Sequence, residues 1–404
     1  MVGVLGCVAC SSRMPNKGNV VSCGPGTTLV GSTCEVIRDA GMDARSLDAQ
    51  LDAAPDAGPT GTAATTIGID PAHDNAQPSD QVTSPLTPLW TERFTGTVSY
   101  PLVVNEVVFI AVAGPQPSVR ALDIKTGATL WGPQAVGSNP ALAYDAGRVF
   151  ALDLYGHMTA FDAATGTQLW SVQVPNQSFY YAPPIAVGGL IYANGVGSGG
   201  TLTAIDEQTG AVRWMQQTGG TDGCPAVVNG IVYVDEACEF LAFDAVAGTL
   251  LWSHQLPCTG GGGWAPSVYG TKIWDRGTFG NLILEHDGTL LGTFAANVMP
   301  AFHDGLAFYR TNGALSAVDI ATSTLRWRFT GDGQLCTTPV VAGAGGQVFV
   351  GSEYGNVYEL DALTGSQRSV YAVGTQLTCF SEANAPALAD GHLLVPAGNE
   401  LIVF

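Results

Sequence analysis

The sequence predicts an all-β fold, an eight-bladed β-propeller, on three observations. A unit of about 40 residues repeats from residue 88 onward, each unit carries hairpin signals, and the repeated region opens and closes on strands with no partner in their own unit. The first four copies are Ala121-Leu122-Asp123 to Gly127 with Trp131, Ala160-Phe161-Asp162 to Gly166 with Trp170, Ala204-Ile205-Asp206 to Gly210 with Trp214, and Ala242-Phe243-Asp244 to Gly248 with Trp252. Ala317-Val318-Asp319 with Trp327 and Leu360-Asp361 to Gly365 follow, and Leu284 to Gly288 is a shortened copy without its Trp. In five copies the Trp stands eight residues after the Asp.

Each signature encodes a hairpin. The Asp carboxylate accepts hydrogen bonds from amides a few residues on, and the Gly takes the positive φ of a short bulged loop. The outer strands of a blade, C and D, therefore flank it. Upstream lies a second hairpin, at Asn229-Gly230, Asp304-Gly305 and Asp390-Gly391 between apolar runs, which defines strands A and B. Tyr155-Gly156, Asn312-Gly313 and Tyr354-Gly355 mark the B–C turns.

The ring closes by exchange between the ends. Residues 385–404 supply strands A to C, and residues 88–94 around Trp90 read as a D strand without a blade. Pairing them gives eight blades with only short, protected edges. Trp90, Trp131, Trp170, Trp214, Trp252 and Trp327 are then structural residues between blades, each contributing roughly 4–6 kcal/mol as an upper bound.

Composition agrees with a turn-rich β chain: 52 Gly, 23 Pro and only 12% charged residues among 404. A formal charge of −19, with 15 Lys and Arg, excludes a nucleic-acid partner. Nine cysteines without zinc-type spacing point to an oxidising compartment.

Ahead of the propeller, at 88–404, three stretches are expected. Residues 1–10 read as the remnant of a signal, since Val4-Leu5-Gly6-Cys7 resembles the lipobox of bacterial lipoproteins; Cys7 is the expected lipidation site, with further residues upstream needed for a working signal. Residues 11–38 form a small motif stapled by Cys23 and Cys34, a closure worth roughly 3 kcal/mol. Residues 39–87, first Asp/Ala-rich and then polar, read as a largely disordered linker.

The Ala-Leu-Asp-x-x-Thr-Gly-x-x-x-Trp repeat over 88–404 resembles the pyrroloquinoline-quinone-like propeller family. The resemblance implies one of two branches. Quinoprotein alcohol dehydrogenases hold the quinone and a calcium ion at the ring axis, whereas lipoproteins like the barrel-assembly-machinery B subunit bind partner proteins without a cofactor. The dehydrogenases typically set a disulfide of two adjacent cysteines against the quinone, and no Cys-Cys pair occurs in this sequence. Their Glu, Asn and Asp ligands for calcium and their Asp base match no motif here.

The expectation is therefore a non-enzymatic extracytoplasmic scaffold, outer-membrane-anchored or secreted, with no cofactor, no metal and no catalytic residues. It binds an envelope or extracellular protein and meets the membrane only through a lipid anchor. The alternative is a quinoprotein-type oxidoreductase using pyrroloquinoline quinone with calcium. The six histidines show no metal-ligand spacing.

Cys224, Cys258, Cys336 and Cys379 fall in D-to-A connections and Cys238 in a B–C turn, loop classes that share one face of a propeller. Disulfides are expected to pin that face, Cys336 with Cys379 and Cys224 with Cys238, with Cys258 as a replacement for either partner of the second pair. Trp264, Phe380, Tyr180 and Tyr181 lie in or beside these connections and are the candidate ligand anchors.

Overall fold

The computed structural model describes residues 27–30, 33–36 and 62–404, apart from 198, 221–222, 237–238, 256–262, 278–280 and 378–383. The chain divides into two units, Met1–Pro55 and Asp56–Phe404. In the first, Thr27–Val30 pairs with Thr33–Val36 as an antiparallel hairpin. Cys7 and Cys23 lie outside the described residues, so the proposed anchor and staple do too.

The second unit is the propeller. Eight sheets of four antiparallel strands succeed one another, and the described residues form no α-helix. Blade 1 comprises Leu102–Val104, Val107–Val112, Ser118–Asp123 and Thr129–Ala135. Blade 2 is Ala141–Asp145, Arg148–Leu152, His157–Asp162 and Gln168–Gln173; blade 3 is Ile185–Val187, Leu190–Gly195, Thr201–Asp206 and Val212–Gln217. Blade 4 is Ala226–Val228, Ile231–Asp235, Glu239–Asp244 and Leu250–Gln255; blade 5 is Ser267–Tyr269, Lys272–Asp275, Asn281–Glu285 and Leu290–Phe294. Blade 6 is Ala301–His303, Leu306–Thr311, Ala314–Asp319 and Leu325–Phe329; blade 7 is Val340–Ala342, Gln347–Gly351, Asn356–Asp361 and Gln367–Ala372. Blade 8 takes Ala387–Ala389, His392–Ala397 and Glu400–Val403 from the end of the chain and Trp90–Arg93 from its beginning. Val403 stands opposite Trp90 and Glu400 opposite Arg93, the latter pair also ion-paired.

The C–D hairpins show why the signature recurs. Asp123 Oδ1 accepts from the amides of Lys125 (3.1 Å) and Thr126 (2.8 Å) and from the Thr126 hydroxyl (2.7 Å). The same arrangement holds at Asp206 and Asp361. One residue later in the loop the chain needs a left-handed turn, which Gly127 supplies at φ +71°. Ahead of the D-strand Trp in the five blades that lie within the repeat the ladder bulges, as between Ala204 and Ile205, and this aims the indole at the next blade.

There the indole meets a fixed receptor. Trp90 Nε1–H donates to Ile124 O, Trp131 to Ala163 O, Trp170 to Glu207 O, Trp214 to Ala245 O, Trp252 to His286 O and Trp327 to Ala362 O, at 2.6–3.0 Å. Each acceptor is the residue after the signature Asp, or after Glu285 in the shortened copy. The ring lies on the loop glycine; a Cβ on Gly166 would stand 2.6 Å from Trp131 Cδ2. Gly is therefore required twice, by φ and by contact.

Part of the expected linker is built into the ring. The innermost strand of every blade turns a free edge to the axis, and its amides need acceptors. Residues 64–75 supply them in six of the eight blades: Val103 exchanges two 2.8 Å bonds with Ala64, Tyr144 N donates to Thr65 O, Val227 N to Pro71 O, Val268 N to Ala72 O, Phe302 N to Asp74 O and Val341 N to Asn75 O. Ala76–Gln77 then adds a parallel fifth strand to blade 7. Ala64, Ile67, Ile69, His73 and Asn75 are all buried to 2% exposure or less. Ile69, at φ +78°, holds a backbone conformation that costs a β-branched residue of order 1–3 kcal/mol, which the surrounding contacts over-determine.

Candidate functional site

The D-to-A connections and B–C turns share one face, and two features of it have chemical potential. The first is a cleft of about 340 Å³ on the side of blades 1 to 3 and 8, lined by Ser99, Tyr100, Asn139, Leu154, Tyr180 and Tyr181. Tyr180 is buried with its hydroxyl donating to Pro175 O (3.2 Å), whereas Tyr181 is 58% exposed. Tyr181 stacks on Phe179 (centroids 6.1 Å, 14°), and Phe179 meets Tyr155 of the B–C turn at 6.0 Å. All three rings are exposed, a cost in water that a monomer's surface usually avoids. Tyr180 and Tyr181 stand where the sequence places them, in a D-to-A connection. Tyr155 is legible in the sequence only as part of a B–C turn and Phe179 not at all, because a lone aromatic in a turn gives no sign of an anchor until the fold stacks it.

The second feature is a buried ladder of charge at the ends of the B strands of blades 3 to 6. Asn194 of blade 3 donates to Gly223 O (3.0 Å) and to Glu236 of blade 4 (3.3 Å). Asp235 accepts from the backbone N–H of Trp264 (2.9 Å), and the Arg276 guanidinium lies 5.1 Å from the Trp264 ring. Arg276 and Arg310 both reach Asn297, at its carbonyl and its side-chain oxygen, each at 3.4 Å. Burial pushes Asp275 up to about 7 and Asp235 well above the usual carboxylate range, the latter helped by the Asp275 charge. Burial also draws Arg276 down to about 9 and Arg310 to about 10. Among the described residues, neither oxygen of the fully buried Asp275 has a hydrogen-bond partner. Nothing in the sequence marks these residues, since they are single polar positions in otherwise apolar strands.

The cysteine expectations divide. Cys224 is not a disulfide partner but a free, buried thiol. Its Sγ lies 3.3 Å from Pro183 O and 3.8 Å from His73 Nε2, so it faces the inserted axial segment and not the rim. Cys336 is buried and disulfide-bonded. Cys238, Cys258, Cys379 and Phe380 lie outside the described residues. Trp264, the remaining candidate anchor, is 41% exposed and caps the charge ladder through Arg276.

A family model described as outer membrane protein assembly factor BamB matches residues 83–178, 117–263 and 265–404. The chain belongs to this family. The BamB of Moraxella catarrhalis superposes with a TM-score of 0.61 at 17% identity, covering 78% of this chain and 96% of that one. The quinohemoprotein alcohol dehydrogenase of Comamonas testosteroni superposes at 0.69 and 16% identity, covering 85% and 80%. At these identities both likenesses show the fold alone.

Among curated relatives of this BamB-family chain, the dehydrogenase subunit of the quinone alcohol dehydrogenase of Komagataeibacter europaeus is 30% identical over 201 residues, 43% of this chain and 26% of the relative. The 1-butanol dehydrogenase (cytochrome c) of Thauera butanivorans is 30% identical over 168 residues, 35% and 24%. The matched part thus spans about a quarter of these relatives' length. The first of them, an alcohol dehydrogenase (quinone) by name, overturns the expectation that the chain stands apart from any cofactor.

The fit of that group rests on Asp275. Its carboxylate beside Asp235 offers oxygen ligands, but no group of three or more metal-ligating side chains occurs among the described residues, and Arg276 (4% exposed) and Arg310 (1%), the cations an acidic quinone would meet, are closed off from solvent.

Proposed function

We propose that this BamB-family propeller is an extracytoplasmic binding protein that docks an envelope protein on its D–A face, with Phe179, Tyr181 and Tyr155 as anchors. The stacked, exposed aromatic trio beside the cleft carries this reading. Large flat rings fix contact area at little entropic cost, and rigid strands hold the loops that present them. Attachment through Cys7 and a disulfide joining Cys336 to Cys379 belong to the same reading.

The test is capture from envelope extract by wild type and by a Phe179→Asp/Tyr181→Asp variant of unchanged melting temperature. A partner retained by wild type and lost by the variant supports docking on this face; equal capture removes it.

A second reading, favoured by the name of the Komagataeibacter europaeus relative and by the buried Asp275 carboxylate, is a quinoprotein-type oxidoreductase. Asp235 and Asp275 would hold a divalent cation and Arg276 and Arg310 the acidic quinone, which supplies two-electron oxidation of an alcohol. Titration with pyrroloquinoline quinone and calcium decides it. Saturable binding at micromolar concentration, lost in Asp275→Asn, supports this reading, and an unchanged quinone spectrum eliminates it.

A further inference from the structure

Six of the eight seams between blades are filled by a D-strand indole. The seam between blades 7 and 8 is covered by the entering chain, with Leu86 N donating to Ser369 Oγ (3.3 Å) and Ser84 Oγ to Glu359 (2.9 Å). The seam between blades 5 and 6 has neither. Gly292 stands opposite Ile283, where Trp214 stands opposite Ala204 in blade 3. The receiving loop is altered in concert, with Ser323 at φ +56° where six other loops have glycine.

A cavity of about 490 Å³ remains between the D strand of blade 5 and the C–D loop of blade 6, reaching Ala295 of the D-to-A connection and Thr311 at the end of a B strand. Its walls are aromatic. Trp274 Nε1–H donates to the Tyr309 hydroxyl (2.8 Å), and Phe294 lies 5.2 Å from Tyr309. Its charges are one-sided. Asp319, the lining carboxylate, is taken by Arg326 at 2.6 Å, while Lys272 and Arg328 line the cavity without an ion pair among the described residues. Two uncommitted cations in one cavity of a chain with charge −19 call for an anion.

We propose that this seam binds a small planar aromatic anion, a fused ring carrying a carboxylate. The ring enters the space that an indole occupies at the other seams, displaced outward by the Ser323 side chain, and stacks on the aromatic wall. The carboxylate pairs with Arg328 and Lys272, a charge-assisted contact that a neutral ring cannot make. The site includes neither the aromatic trio Tyr155, Phe179 and Tyr181 nor the side chains of Asp275, Arg276 and Arg310, although Trp274 and Tyr309 adjoin two of the latter in sequence.

Calorimetric titration of the full chain with indole-3-carboxylate, and with neutral indole for comparison, tests it. Wild type is expected to bind the acid at one site and at least tenfold more tightly than indole. Lys272→Ala/Arg328→Ala, at exposed or partly exposed positions, is expected to weaken the acid tenfold or more and leave indole unchanged. Gly292→Trp, which fills the seam, is expected to abolish both at an equal or higher melting temperature, and Tyr181→Ala to change neither. Equal affinity for acid and neutral ring, no weakening in the double variant, or loss of binding in Tyr181→Ala would each overturn the assignment. Should Gly292→Trp fail to fold, the double variant decides alone.

Discussion

Replacing Trp131 with alanine tests whether the indoles hold the ring together. Trp131 is 8% exposed, packed against Phe109 (5.9 Å) and Phe161 (6.4 Å), and bonded to Ala163 O at 2.8 Å. Burying an indole is worth roughly 4–6 kcal/mol by area, an upper bound because the unfolded chain already hides part of it. The hydrogen bond adds about 1 kcal/mol net, and its loss strands a buried carbonyl. Truncations of this kind cost about 3–5 kcal/mol, so about 4 is expected here. With an unfolding entropy of about 2.1 cal/mol/K per residue, a propeller of this size should melt about 5–6 °C lower.

Differential scanning calorimetry reads the shift. Gly166→Ala provides the coupling check, since its new Cβ would stand 2.6 Å from Trp131 Cδ2. Combined with Trp131→Ala that clash is gone and only the cost of φ +69° remains, about 1 kcal/mol. A shift below about 1 °C for Trp131→Ala, or strict additivity in the double variant, would refute the latch.

Two further outcomes concern the inserted segment. Burial holds the His73 imidazole down at about 4, so the unfolded chain gains a proton below pH 6.5 that the fold refuses. Stability present above pH 6.5 is therefore lost as pH falls toward 4, by up to roughly 3 kcal/mol, while burial raises Asp70 to about 6 and Asp74 to about 8, whose contributions instead fade as pH rises. Wild type is expected to lose melting temperature relative to His73→Gln between pH 7 and pH 5, and a constant difference would dismiss the argument. Ile67→Ala, in a segment whose composition reads as solvated linker, is expected to cost about 2–4 kcal/mol in urea titration; a change under about 0.5 kcal/mol would mean that the segment is not core.

What the sequence shows of this fold is whatever rests on local chemistry. The Asp at the C–D turns accepts from the amide three residues on, and in several copies also from the one two residues on, while the loop Gly answers one backbone angle, so both repeat visibly along the chain. The exchange of strands between Trp90 and Val403 was legible because each end lacked a partner. Residues 64–75 were not. Their partners lie between 39 and 266 positions away, in seven hydrogen bonds that leave no period behind. Cys224 was misread for the same reason, since its loop was assigned correctly but the group that meets it, His73, belongs to a stretch read as solvent-exposed. The loss of Trp in the shortened copy was visible in the sequence, yet the space it opens depends on Ser323 in the next blade.

The axial segment also runs in the order of the blades. Its carbonyls at residues 64, 65, 71, 72, 74 and 75 serve blades 1, 2, 4, 5, 6 and 7 in that sequence, so the thread winds in the direction of synthesis. Each of these six blades seats on a stretch of chain that precedes it in the sequence, as staves are set around a mandrel. The final stave is different: its outer strand, Trp90–Arg93, must wait for Glu400–Val403, and the earliest-made edge of the propeller is the last to be covered.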